Sequence, residues 1–192
     1  MRLVLFCKFP NPGEAKTRLI PALGAKRAAQ VHRQLADRTV SVMMEANAGT
    51  VEVAYTGANE AEFCDWLGGE VVLVPQTDGD LTARLIERID PTPVIFFGAD
   101  TPDLTSEIVR AAASSLEQHE VVIGPADDGG YYLIGLARPL PELFTDMPWS
   151  TDAVLPETMQ RLEQLGIEPF LLPVLHDCDR PEDLKRWPWL TA

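Results

Sequence analysis

Short apolar runs alternate along this chain with longer segments whose apolar residues recur every three or four positions. Residues 2–9 form the first run and predict a strand. In 24–47 the residues Ala28, Val31, Leu35 and Val42 share one stripe at helical spacing, which predicts a long amphipathic helix. Apolar runs at 51–56, 71–74, 94–97 and 121–124 predict four more strands, with helices expected at 58–67, 81–89 and 105–118. Gly68-Gly69 should stop the first of these helices. The run Val94-Ile95-Phe96-Phe97 is short, β-branched and aromatic, and Pro91 and Pro93 bound it, so it reads as a buried strand. This alternation predicts an α/β fold with a mostly parallel sheet flanked by helices. The rhythm breaks at 131–136, a strand reached through the short turn 126–130. No crossover helix fits in such a turn, so an antiparallel excursion is expected in the C-terminal half. Beyond it, 139–149 reads as a loop, 152–165 as a helix, 169–174 as a late strand and 181–186 as a short helix. Without internal repeats or a long linker, residues 1–192 are expected to form a single domain.

Composition narrows the function. The chain is 46% hydrophobic and 23% charged, enough apolar material for one real core. Its net charge of −13 argues against a general nucleic-acid binder. The charge is uneven: residues 1–40 carry eight Lys/Arg and two Asp/Glu, whereas 41–192 carry eight and 27. A basic amino end on an acidic remainder suits a phosphorylated ligand held between cations and a carboxylate-bound metal. Arg33 and Arg38 read better as surface charge on the long helix. Cys7, Cys64 and Cys178 are far apart, with no C-x-x-C pair, which fits a reducing, cytoplasmic setting without a zinc site. The apolar start 1–6 is too short for a signal peptide, and no run reaches the length of a membrane span.

Four motifs could carry chemistry. The first is Lys8-Phe9-Pro10-Asn11-Pro12-Gly13-Glu14-Ala15-Lys16-Thr17-Arg18-Leu19, directly after strand one. A glycine-containing loop at a strand's carboxyl end can aim N–H groups at a phosphate, and Lys8, Lys16 and Arg18 add charge. It is not a Walker A loop, because the G-x-x-x-x-G-K-[ST] spacing is absent. The second is Gly98-Ala99-Asp100-Thr101-Pro102-Asp103-Leu104. Helix capping would account for Asp103 or Thr105, but not for Asp100, which precedes a proline. A carboxylate emerging at a strand's carboxyl end is suited to hold a hard divalent cation beside a phosphate. The third is Gly124-Pro125-Ala126-Asp127-Asp128-Gly129-Gly130-Tyr131-Tyr132, where glycines make a turn and one Asp can face a ligand. The fourth is Asp177-Cys178-Asp179. In a strand its two carboxylates would face opposite ways, so only one need reach a metal. Capping before Pro181 is the competing role.

In this order the motifs resemble the GT-A (Rossmann-like) fold of nucleotide-diphospho-sugar transferases. More narrowly, K-x-P-x-P-G-x-x-K-T-R-L, G-A-D-T-P-D-L, G-P-A-D-D-G-G-Y-Y-L-I-G-L and the Pro148-Trp149-Ser150-Thr151 loop resemble a small bacterial GT-A-like family. That family is known as a domain of unknown function and as glycosyltransferases associated with arsenosugar biosynthesis. The ending Asp177-Cys178-Asp179-Arg180-Pro181-Glu182-Asp183-Leu184 is similar to the D-x-D-T-P-E-D-L of GT-A-like nucleotidyltransferases, with Arg180 where Thr is usual. Thr82-Ala83 departs from the Gly-Glu pair expected in the loop 76–84.

The resemblance implies a nucleotide in the first half of the chain, beside Lys8, Pro12, Gly13, Lys16, Arg18 and, near the base or sugar, Gln76. It implies Mg²⁺ or Mn²⁺ on Asp100, with Asp179 as the second ligand. It places acceptor or sugar near Asp103, Gly129, Gly130, Tyr131 and Trp149, with Asp128 positioning or deprotonating the acceptor hydroxyl. The expected activity is metal-dependent glycosyl transfer from a nucleotide sugar to a small-molecule acceptor. The alternatives are nucleotidyl transfer from a nucleoside triphosphate to a phosphorylated acceptor, and a binding protein that has lost turnover. A homodimer is compatible with each. The loop 139–151, with Phe144, Met147 and Trp149, is expected to form the mobile acceptor wall.

Overall fold

The computed structural model describes residues 1–191. Seven strands form one sheet: β1 (Arg2–Lys8), β2 (Thr50–Thr56), β3 (Val72–Pro75), β4 (Val94–Phe97), β5 (Val121–Pro125), β6 (Tyr131–Leu136) and β7 (Phe170–Leu171). The helices are α1 (Ile20–Leu23), α2 (Ala25–Ala46), α3 (Glu60–Leu67), α4 (Leu81–Glu87), α5 (Ser106–Ser115) and α6 (Val154–Leu165). Spatial order in the sheet is β3-β2-β1-β4-β6-β5-β7. Every pair is parallel except those made by β6, which runs antiparallel between β4 and β5. The excursion expected from the short 126–130 turn is therefore a central strand rather than an edge.

Alternation along the strands builds the layers. Leu3, Leu5 and Cys7 of β1, with Ile95 and Phe97 of β4, pack under α2, α3 and α5 through Ala36, Met43, Phe63, Val109 and Ala112. Val4 and Phe96 face the other way, onto Leu85 of α4, Phe144 and Leu162 of α6. A third cluster joins Leu19, Ala28, Val31 and Leu35 to Cys178, Leu184, Trp187 and Leu190, so the C-terminal segment closes over α2. The whole predicted stripe of α2 is buried.

Two expectations need correction. The late strand is only two residues long, although it continues as a bridge between Ala126 and Leu175. The loop after β6 is no free wall: Leu140, Leu143, Phe144 and Met147 are all buried. Its apolar groups are core residues supplied by an irregular segment.

Gly124 in β5 has a packing reason. A Cβ there would lie 2.3 Å from Cζ of Tyr132, so the tyrosine ring crosses the strand where a side chain is missing. The Tyr132 hydroxyl then donates to the Pro173 carbonyl at 3.0 Å, fastening the segment that leads to 176–179.

Candidate active site

The carboxyl ends of β1 and β4 and the start of the reversed β6 lie on one edge of the sheet, the edge where open α/β sheets bind ligands. Four segments meet there. The loop after β1 brings Lys8, Lys16 and Arg18. The end of β4 brings Asp100, the β5–β6 turn brings Asp128, and the C-terminal segment brings Asp177 and Asp179. That segment is docked by its backbone: Cys178 N donates to the Asp100 carbonyl at 2.8 Å. Asp183 then accepts from the N–H groups of Asp179 and Arg180 at 3.0 and 2.7 Å, fixing the turn.

Lys16 stands at the centre. Its Nζ lies 2.8 Å from Asp100 Oδ1 and 2.6 Å from Asp179 Oδ1, and it donates to the Cys178 carbonyl at 2.7 Å. Its side chain is 6% exposed. Its backbone is left-handed, with φ 47° and ψ 48°, which costs a non-glycine residue about 1–2 kcal/mol. The three bonds at the tip of the side chain hold it there. Burial alone would lower the Lys16 pKa, but Asp100 and Asp179 outweigh it and raise it above the ordinary lysine value. Burial would likewise push Asp100 up, yet Lys16, with help from His32, holds it below the carboxylate range. Arg18 Nη1 reaches Asp179 Oδ2 at 3.3 Å from a more exposed position.

Two cavities flank this cluster. One, of about 480 Å³, is lined by Lys8, Lys16, Arg18, His32, Asp100 and Asp179. The other, of about 330 Å³, has Phe6, Leu85 and Phe96 on its walls, with Tyr131 and Trp149. Asp128, Asp177, Asp179, Gly130 and Arg18 also line it. Arg18 and Asp179 belong to both, so the two spaces adjoin.

Trp149 is a fixed wall. Its Nε1 donates to Thr82 Oγ1 at 2.9 Å, and that hydroxyl donates to the Phe144 carbonyl at 2.9 Å. The Tyr131 ring meets Trp149 edge-on with centroids 6.4 Å apart. Asp128 Oδ1 accepts from the Gly130 N–H at 2.9 Å, which orients the carboxylate across the turn.

Some expected residues lie elsewhere. Asp103 lines neither cavity; it is exposed and accepts from the Trp187 indole at 2.9 Å, latching the C-terminal segment. Gly129, at φ 89°, makes the turn, and a Cβ there would come within 2.5 Å of the Asp152 carbonyl oxygen, so its part is close packing. Pro12 and Gly13 sit on the exposed rim of the β1 loop, outside the cavity linings. Gln76 also lines neither cavity; it donates to the Ala54 carbonyl at 2.6 Å and accepts from Arg84 Nη1 at 2.9 Å.

Other site residues had weaker signals. His32 lies on the buried face of α2, its Nε2 2.8 Å from the Lys8 carbonyl, facing the cationic cavity. A histidine four residues after Ala28 on an apolar stripe was the visible clue. Asp177 faces the same way as Asp179 because 176–179 is an irregular segment, where strand alternation does not apply. Thr101 Oγ1 donates to Asp177 Oδ1 at 2.5 Å. Burial, with Asp100, Asp128 and Asp179 adding to it and Thr101 opposing, lifts this carboxyl to about 7.

The donor set fits a hard cation. Two carboxylates and a carbonyl oxygen already converge on one positive charge. Among the described residues, no group of three or more His, Cys, Asp or Glu side chains is arranged to hold a metal. Mg²⁺ and Mn²⁺ sites of this kind draw on one or two carboxylates and complete their shell with water and substrate phosphates.

The mixed seven-stranded sheet with helices on both faces is a Rossmann-like α/β fold of the kind found in nucleotide-sugar transferases. Residues 39–151 match the model of the family DUF2064, described as an uncharacterized protein conserved in bacteria, and the chain belongs to that family. A Desulfovibrio desulfuricans G20 protein, described as a candidate nucleotide-diphospho-sugar transferase, is 29% identical over 95% of this chain and 84% of its own, with a TM-score of 0.89. A Methanothermobacter nucleotidyl transferase shares the fold at 17% identity over 100% and 98% of the two chains, TM-score 0.64. So does the 4-diphosphocytidyl-2C-methyl-D-erythritol synthase of Anaerococcus prevotii, at 13% identity over 100% and 96%, TM-score 0.58. No curated protein matches the chain. No helix among the described residues is long and apolar enough to cross a membrane.

Proposed function

We propose that this protein is a glycosyltransferase that moves a sugar from a nucleotide-diphosphate sugar to a small hydroxylated acceptor, with Mg²⁺ or Mn²⁺ on Asp100 and Asp179. The observation that carries this reading is the division of the cleft. One space is lined by Lys8, Lys16, Arg18 and His32, the chemistry a departing diphosphate needs. The adjoining space pairs aromatic walls with Asp128, Asp177 and Asp179, and Arg18 is the cation among its lining residues. Sugars and alcohols offer donor hydroxyls to carboxylates and C–H faces to aromatic rings. A phosphorylated acceptor would set its charge against those carboxylates.

In the reaction, Lys16 and Arg18 bind the phosphate oxygens and offset the charge that develops on the leaving diphosphate. A divalent cation held by Asp100 and Asp179 supplies Lewis-acid stabilisation of the same charge. Asp128, held by the Gly130 N–H, orients the acceptor hydroxyl and takes its proton. Tyr131 and Trp149 narrow the space and exclude water that would hydrolyse the donor.

Nucleotidyl transfer is the second reading. The cations of the β1 loop suit a pyrophosphate leaving group, and nucleotidyl-type proteins share the fold. Thermal-shift screening of nucleotide sugars and nucleoside triphosphates, each with and without Mn²⁺, separates the two, because a ligand of the native state raises the midpoint. Glycosyl transfer predicts larger Mn²⁺-dependent shifts with a nucleotide sugar. Larger shifts with a triphosphate would replace it by nucleotidyl transfer, and no shift with either class would leave a protein without turnover.

A further inference from the structure

Lys16 is asked for two incompatible bonds. An ammonium has three N–H donors. All three are turned to oxygens inside the site: the ammonium donates to Asp179 Oδ1 and the Cys178 carbonyl at 2.6 and 2.7 Å and is ion-paired with Asp100 Oδ1 at 2.8 Å. None is left for a phosphate while this arrangement lasts. The same three oxygens are the donors a divalent cation would take, so cation and ammonium compete for one place. Arg18 is different: its side chain is 59% exposed and touches only the outer oxygen of Asp179.

Resting on the metal-dependent reading above, we infer that Lys16 is an internal cation that closes the Asp100–Asp179 pair until a diphosphate draws it away. The handover works in both directions. A phosphate that takes the ammonium leaves Asp100 and Asp179 facing each other with only the exposed Arg18 still on the outer oxygen of Asp179, which strengthens their hold on Mg²⁺ or Mn²⁺. A divalent cation that enters first expels the ammonium toward the space lined by Lys8 and Arg18, where phosphates would sit. Linkage makes the two effects equal: each ligand raises the other's affinity by the same factor. In the free protein Lys16 offsets one of the pair's two negative charges and Arg18 approaches Asp179 from outside, so the pair is held together without a metal. The enzyme therefore binds its metal with the nucleotide rather than before it. Lys16 is thus a positioning residue in the resting state and a phosphate ligand in the loaded one.

The chain has four lysines, at 8, 16, 26 and 185; the Lys16 side chain is 6% exposed, against 42% for Lys8, and Lys26 and Lys185 are exposed. The Lys16 ammonium should give a protected ¹H–¹⁵N correlation in the wild-type protein. Inorganic pyrophosphate added without metal should shift that signal, and Mg²⁺ alone should broaden or shift it only at high concentration. Free-Mn²⁺ electron paramagnetic resonance gives the second readout. Without phosphate, Lys16→Met should bind Mn²⁺ at least about tenfold more tightly than wild type, since it removes a contact competitor. Lys8→Met removes the same charge from the rim and should gain less than about threefold by field alone. An unprotected Lys16 signal, or one indifferent to pyrophosphate, overturns the inference. So does equal Mn²⁺ affinity in wild type and Lys16→Met, or an equal gain in Lys8→Met. If Lys16→Met gains Mn²⁺ affinity but neither nucleotide sugars nor triphosphates bind with Mn²⁺, the role of Lys16 stands and the functional reading falls.

Discussion

Asp177 shows how a single residue registers its surroundings. Its carboxyl is lifted from 3.8 to about 7, chiefly by burial and then by three neighbouring carboxylates. Between those values the folded protein binds more protons than the unfolded chain, so stability falls as pH rises through the window. Measured without divalent metal, the melting temperature should decline from about pH 4 to pH 7. Asp177→Asn should remove most of that decline and melt higher than wild type at pH 8. An unchanged pH profile in the variant would count against the burial of the charge. The sequence exposed Asp177 as one half of a D-x-D but could not say which half faced the cleft. Strand alternation separates the two carboxylates; the irregular backbone of 176–179 brings both inward. Asp103 was misleading in the opposite way. Its place in G-A-D-T-P-D-L is close to Asp100, yet its partner is Trp187, 84 positions away, which no local pattern reveals.

Among the elements, the segment between β6 and α6 changes most on passing from pattern to packing. Apolar residues in a proline-rich stretch suggested a wall waiting for a partner. The structure seats four of them in the core and leaves Trp149 half-buried over the cavity. The chain Trp149–Thr82–Phe144 carbonyl fixes the indole, and it ties this segment to α4. Thr82→Val keeps the shape and leaves an N–H and a carbonyl unpaired, so it should cost about 1–3 kcal/mol in denaturant unfolding. Thr82→Ser should retain most of that stability. If valine is as stable as threonine, Trp149 does not depend on the bond for its place. Regular elements were easy to find beforehand because their periodicity is local: α2, β4 and β6 lie where the pattern put them. The short β7 and the 3-10 turns at Asp183–Lys185 and Pro188–Leu190 depend on docking, which is why the pattern overextended the first and missed the last.

For the whole molecule, the first 40 residues and the last 20 build one half of the site between them. Lys16 belongs to the former, Asp179 to the latter, and the cluster of Leu19, Val31, Leu35, Leu184 and Trp187 holds them together. Trp187→Ala should therefore act twice. Loss of a buried aromatic predicts about 3–5 kcal/mol of destabilisation. Loosening of the segment that carries Asp179 predicts weaker Mn²⁺-dependent nucleotide binding even at temperatures where the variant is fully folded. Circular dichroism and calorimetry on the same sample test both. A variant that is less stable but binds normally would show that the segment keeps its position without the indole. The charge asymmetry of the sequence marked the amino end as basic against an acidic remainder, and the structure sets Lys16 and Arg18 of the one beside Asp179 of the other. Their joining through an ion pair lies beyond composition, because it requires a contact across 163 positions.

Gly124 has a consequence out of proportion to its size. Because it carries no side chain, the Tyr132 ring can lie flat across β5 and reach Pro173, and from Pro173 the backbone runs through Leu175, which bonds to Pro125 and Asp127, to the carboxylates at 177 and 179. The glycine acts as the seat of a lever whose far end is the carboxylate cluster. Filling that seat with a single methyl group would tilt the ring, lift the strap it fastens and splay Asp177 and Asp179 from Asp100. The damage would appear first as lost ligand affinity, at a residue that no ligand touches.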